Sequence, residues 1–144
     1  MNNVPFNSAF FGLYENVFHT ASQIQGEEFA LSFMRKLFSN ALGKSYAAAG
    51  FEKGDPNSFS RVVGLRDESV GLRVAFPEIS NTKIIYRFLD DPFPGLKGLV
   101  DPKALGDTYI SFKVNFLLGD EWKFELTKHL WFGAPFTEYV ITRQ

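Results

Sequence analysis

Residues 101–119, DPKALGDTYISFKVNFLLG, carry two periods at once. Leu105, Tyr109, Phe112 and Phe116 fall on one helical face, whereas Ile110, Phe112, Val114 and Phe116 alternate as a strand would. The ends of the stretch favour the helix. Asp101 before Pro102 is a cap followed by a first-turn proline, whose missing N–H and fixed φ suit a helix start. Gly119 is a suitable stop. A helix over 102–118 is therefore expected, with the strand left as the alternative, and it divides the β-forming sequence into a group before it and a pair after it.

After it, Trp122, Phe124, Leu126, Leu130 and Phe132 alternate with Lys123, Glu125, Thr127 and His129. Gly133-Ala134-Pro135 then turns the chain into Phe136–Thr142, giving a closing hairpin over 121–142. Before it, Asp90-Asp91-Pro92-Phe93-Pro94-Gly95 ends any sheet, because two prolines cannot sit in a central strand. Upstream lie three short alternating runs, expected as an antiparallel meander over 58–89. The first pairs Phe59, Arg61, Val63 and Leu65 against Ser60, Val62 and Gly64. After a turn at Arg66–Ser69, the second runs Val70, Leu72, Val74, Phe76; after Ser80-Asn81-Thr82, the third runs from Ile84 to Leu89. Gly54-Asp55-Pro56-Asn57 is read as the loop that precedes them.

The first third, 7–50, is helical. Ser8 is the candidate cap of a segment in which Phe10, Phe11, Tyr14, Val17 and Phe18 recur at helical spacing. A break near Gln25-Gly26 precedes a longer helix with Glu27 and Glu28 at its positive start and Gly50 as its C-terminal cap. Phe29, Phe33, Leu37 and Ala41 form its stripe, with Met34, Phe38 and Leu42 beside it; Gly43 and Ala47–Ala49 allow close approach of another backbone. The expected architecture is a single α+β domain over 1–144, N-terminal helices packed on an antiparallel sheet in the order α-α-β-β-β-α-β-β.

Composition narrows the chemistry. Seventeen phenylalanines in 144 residues exceed what one core of this size requires, and cysteine is absent. The missing cysteines exclude disulfides, thiolate metal sites and cysteine nucleophiles. A net charge of −1 gives no electrostatic case for nucleic acid. Met1–Phe6 lacks the positive start and apolar run of a signal peptide, and no stretch is apolar enough to span a membrane, so a cytoplasmic protein is expected.

Polar candidates are few. His19 is read as meeting the end of the first helix, and His129 as part of a solvated cross-strand pair facing Glu138 and Tyr139. Neither has ligand-spaced partners, so no metal or other cofactor is expected. Glu27-Glu28 serve a helix start and Asp90-Asp91 a strand terminus. Ser58 and Ser60 lack a nucleophile-elbow context, and Gly95, Gly98 and Gly106 do not follow the order of a phosphate loop. No catalytic set emerges. The apolar residues remain: Phe33, Leu37, Phe88, Phe112, Phe116, Trp122 and Phe124 as the lining of a ligand pocket, and Phe10, Phe11, Tyr14 and Phe18 as a homodimer seam.

Three stretches resemble the 4-vinyl-reductase-type (V4R) domains and their wider relatives, which include TRAPP vesicle-tethering subunits and aromatic-sensing domains of bacterial transcription activators. They are the long helix ending Ala47-Ala48-Ala49-Gly50-Phe51; Asp91-Pro92-Phe93-Pro94-Gly95 followed by Gly98-Leu99-Val100 and the apolar segment to Gly119; and Phe124–Lys128 through Gly133 to Tyr139-Val140-Ile141. The last also resembles the end of the L-2-amino-thiazoline-4-carboxylate hydrolase-like group. The resemblance implies the architecture above, a homodimer through the N-terminal helices, and a pocket for a hydrophobic or aromatic small molecule. Members often carry cysteines at the last hairpin; here Ala134, Phe136 and Thr137 stand there, so thiol or metal chemistry does not transfer. The leading expectation is a non-enzymatic binding or sensing domain. A hydrolase using His129, Lys128, Glu138 or Arg61, and a TRAPP-like scaffold subunit, are the alternatives.

Overall fold

Two Asp-Pro pairs start helices in this chain. In the computed structural model, which describes residues 4–144, the Asp101 carboxylate accepts from the Ala104 N–H at 2.9 Å and Pro102 opens a helix that runs to Leu117. The helical period of 101–119 thus prevails over the alternating one. Asp55 does the same, accepting from the Ser58 N–H at 3.1 Å, and Pro56 opens a helix that runs to Ser69. This corrects the expectation of a strand at 59–65. The buried residues there are Phe59, Val62, Val63 and Asp67, at spacings of three and four, while Leu65 is exposed. The stretch taken as a loop is the start of this helix.

The elements in chain order are α1 (Ser8–Gln25), α2 (Glu27–Ala49), α3 (Pro56–Ser69), β1 (Val74–Ile79), β2 (Lys83–Phe88), α4 (Pro102–Leu117), β3 (Trp122–Lys128) and β4 (Thr137–Arg143), with short 3-10 turns at Pro94–Leu96 and Leu130–Phe132. Among the described residues the fold is α+β, with four helices and one four-stranded antiparallel sheet rather than five strands. The strand order is β1-β2-β4-β3, so β4 lies in the middle, flanked by β2 and β3. The meander reduces to a β1–β2 hairpin turned at Ser80–Lys83, and Val70 and Leu72 precede β1 instead of belonging to it. Residues 1–3, at the front of the segment read for a leader, lie outside the described residues.

The sheet turns one face to the helices. On β2, Ile84, Tyr86 and Phe88 are buried, and they stand opposite Ile141, Tyr139 and Thr137 of β4. Trp122, Phe124 and Leu126 of β3 continue that face. Their strand ends at Lys128; Leu130 and Phe132, expected to extend it, form the 3-10 turn, and Phe132 is 76% exposed. At the helical end, Asn7 caps α1 in place of Ser8, accepting from the Phe10 N–H at 2.9 Å. Glu27, Glu28 and Gly50 bracket α2 as expected. Its buried stripe is Ala30, Met34, Phe38, Leu42 and Tyr46, one position round from Phe29 and Phe33, which are exposed. What lies against Gly43 is the Phe112 ring and not another backbone, and Ala47–Ala49 are exposed.

Helix α4 sits close over the sheet because Gly106 has no side chain. A Cβ there would collide with the Tyr139 hydroxyl of β4. Gly106→Ala should therefore destabilise the fold by roughly 1–3 kcal/mol, as overpacking does. Placing the same change in a Tyr139→Phe background should recover a large part of that loss, read from denaturant midpoints of the four proteins.

Candidate functional site

Three elements each carry one polar group inward. On α3, Asp67 lies four and eight residues beyond Val63 and Phe59, on the same buried face. On β2, the alternation that buries Ile84 and Phe88 buries Tyr86 between them. On α4, Lys113 follows Tyr109 by one helical turn. The three meet beneath the helices. The Tyr86 hydroxyl donates to Asp67 Oδ2 and accepts from Lys113 Nζ at 2.8 Å, and Lys113 Nζ stands 3.5 Å from Asp67 Oδ1. The side chains of Lys113 and Asp67 are 4% and 8% exposed.

The surroundings are aromatic. Lys113 Nζ lies 5.1, 5.6 and 5.5 Å from the ring centroids of Tyr86, Phe88 and Tyr109. Such contacts are worth about 2 kcal/mol or more when desolvated. Burial nonetheless dominates and holds the Lys113 amine below the ordinary lysine range, Asp67 opposing that shift and Arg66 adding to it. Burial also pushes the Tyr86 and Tyr109 phenols well up, so both stay protonated donors, with Asp67 adding to the Tyr86 shift. Tyr46 is fully buried, and its hydroxyl has no partner among the described residues.

A cavity opens beside this cluster. Its walls are Phe10, Phe11 and Tyr14 of α1, Phe38 and Leu42 of α2, and Tyr109 of α4, closed by Phe88 and by Pro92-Phe93. Arg66, Asp67 and Lys113 are its charged residues. Tyr14 stacks on Phe38 at 5.0 Å, and Phe38 meets Tyr109 edge-on at 5.3 Å, so the wall is a linked set of rings. The cavity has a volume of about 50 Å³. One water needs only ~10–15 Å³ on that measure. The space suits a compact occupant, such as a single ring, better than an extended chain.

Of the seven residues expected to line a pocket, Phe88 does so. The other six are not brought to it. Phe112 and Phe116 stack on each other at 4.9 Å, on the side of α4 that meets Phe51 and Tyr46. Trp122 and Phe124 belong to β3, and Phe33 and Leu37 to the outer part of α2, Phe33 being 45% exposed. Phe10, Phe11, Tyr14 and Phe18 are the residues read as a homodimer seam. Phe11 and Phe18 are buried within the chain, and Phe10, Phe11 and Tyr14 are walls of the cavity. Sequence pattern does not mark Asp67 or Lys113 as buried: the first lies in the stretch read as a turn at Arg66–Ser69, and the second is a charged residue on the expected helix 102–118.

The other candidate polar groups have structural partners. Asp90 pairs with Arg73 at 2.7 Å, and Asp91 accepts from the Phe93 N–H and the Trp131 indole. His129 follows β3 and does not pair across it; its Nδ1 accepts from the Trp131 N–H at 3.0 Å, and burial holds its pKa below the ordinary histidine range. His19 is exposed within α1, more than a turn before its end. Arg61 bonds the Gly50 carbonyl, so it does not join His129, Lys128 and Glu138 in one cleft. Glu138 pairs with Arg87 at 2.8 Å and accepts from the Thr127 hydroxyl at 2.7 Å on the outer face of the sheet. Among the described residues, no group of three acidic or histidine side chains could hold a metal, and no helix is long and apolar enough to cross a membrane.

No protein-family model matches the chain, and no curated protein is significantly similar to it.

Removing one member of the buried pair leaves the other buried without its ion partner. Lys113→Met should cost about 3–5 kcal/mol in stability. The triple change Asp67→Leu, Tyr86→Phe, Lys113→Met, which removes every polar group of the cluster, should lie closer to the parent protein in urea unfolding. A pH series tests Glu138. Burial works against its charge, but Thr127, Arg87 and Lys128 outweigh it, so its pKa lies below the ordinary 4.5. A carboxylate depressed in this way stabilises above the unfolded value and loses that contribution as pH falls through the folded one. The melting-temperature gap between the parent and Glu138→Gln should be full at neutral pH and close as the pH drops below that ordinary value.

Proposed function

We propose that this chain is a binding domain for a small aromatic or similarly compact apolar molecule, seated between α1, α2 and α4. The observation that carries the reading is a cavity walled by linked aromatic rings with a buried Lys–Asp pair at its edge. Ligand sites combine apolar walls with a few placed polar groups in this way. The likeness of the closing hairpin and long helix to V4R-type domains agrees with such a role. Of the polar residues considered for hydrolysis, Arg61 is held at the Gly50 carbonyl, and Glu138 is engaged by Arg87 and Thr127 across the strand from Lys128, away from the residues that line this cavity.

Thermal unfolding in the presence of benzene, toluene, phenol and benzyl alcohol tests the reading, together with native mass spectrometry of the purified protein. At ~100 times Kd, one bound ligand adds about 2.7 kcal/mol. For a domain of this size that should raise Tm by roughly 5–10 °C. Val70 also lines the cavity, and Val70→Phe, which fills it from that wall, should abolish the rise while leaving the unliganded protein folded. Absence of any shift across the series, with no co-purifying molecule, would overturn the proposal.

A further inference from the structure

Lys113 is one of nine lysines, and the other eight are exposed or half-buried. A methionine could fill its place without the desolvation that an ammonium suffers there. Two of its hydrogens are committed to Tyr86 and Asp67, and the described residues offer no acceptor for the third. The residue borders the cavity. An amine in a dry, aromatic site with a carboxylate at hand is the arrangement in which lysine forms imines with carbonyl compounds.

We propose that Lys113 captures a small apolar aldehyde or ketone in the cavity as a protonated imine. This rests on the reading of the cavity as a ligand site and names the class of ligand. The atoms balance without a further reactant. Asp67 takes one proton from the Lys113 ammonium, and the free amine adds to the carbonyl carbon, forming the C–N bond as the C=O π pair moves to oxygen. A proton passes from that nitrogen to the oxygen, giving the carbinolamine. Asp67 returns its proton to the hydroxyl, which leaves as water with the C–O electron pair, while the nitrogen lone pair forms C=N. Three ammonium hydrogens end as two in water and one on the iminium, whose positive charge replaces that of the ammonium opposite Asp67.

Geometry supports each role. Asp67 is within 3.5 Å of the amine, Tyr86 holds both groups in place, and the rings of Tyr86, Phe88 and Tyr109 face the cation before and after the step. Burial also lowers the proton affinity of the amine, which raises the fraction able to attack.

Benzaldehyde with cyanoborohydride, followed by peptide mass mapping, tests the proposal. One benzyl group should be fixed on Lys113, roughly tenfold or more ahead of any surface lysine. Lys113→Arg keeps the charge but forms no imine, so labelling should fall to the surface level. If that variant does not fold, the wild-type peptide map decides alone. Labels on the surface lysines with Lys113 unmodified would overturn the proposal. Benzyl alcohol, of the same shape without the carbonyl, separates the two readings. If it raises Tm while Lys113 stays unlabelled, the cavity is a ligand site and the imine is refuted; if it raises nothing and Lys113 stays unlabelled, both are refuted.

Discussion

A lysine ammonium buried between a helix and a sheet is tolerable only while its partners hold still. Lys113 of α4 needs Asp67 of α3 and Tyr86 of β2, and no two of these lie on the same element. The cluster therefore ties together three parts of the chain that are otherwise joined by apolar packing alone. Apolar contacts tolerate small slides; hydrogen bonds to a desolvated charge do not. The placement of α3 against the sheet, and the register of β2 relative to α4, follow from that intolerance.

Much of the architecture was legible in the chain. The two N-terminal helices, the stop at Asp90–Gly95 and the helix from Pro102 stand where composition, period and end signals put them, and the closing pair of strands does too, apart from the 3-10 turn at Leu130–Phe132. The errors share one cause. In 59–65 a hydrophobic residue at every other position looks like a strand, yet burial follows Phe59, Val62 and Val63, because the other elements offer α3 only one side. The same Asp-Pro signal opens α3 and α4, but it was weighed only where the period was already ambiguous. Local pattern records which residues could be buried, and tertiary packing selects among them.

The site was less legible than the fold. Excess phenylalanine pointed to an aromatic cavity, and aromatic rings do line one. Which rings do so depends on helix rotation: on α2 the inward stripe passes through Phe38 and Leu42, and on α4 through Tyr109 and Lys113. A rotation of one residue separates these from Phe33, Leu37, Phe112 and Phe116. No hydrophobicity pattern marks a buried lysine, since its charge places it by default outside. Its location emerges only when α3, β2 and α4 are assembled.

The strand order also governs the timing of folding. Among the described strands β4 comes after the other three in the chain, yet it lies in the middle of the sheet, hydrogen-bonded to β2 on one side and β3 on the other. Until Thr137–Arg143 docks, β1–β2 is a lone hairpin with an open edge, and β3 has no strand neighbour. Helices α1 and α2, which make local contacts, can form first, whereas the sheet closes only once β4 is available to both of its neighbours. The exposed edge of β2 is then the surface a nascent chain must keep from other strands.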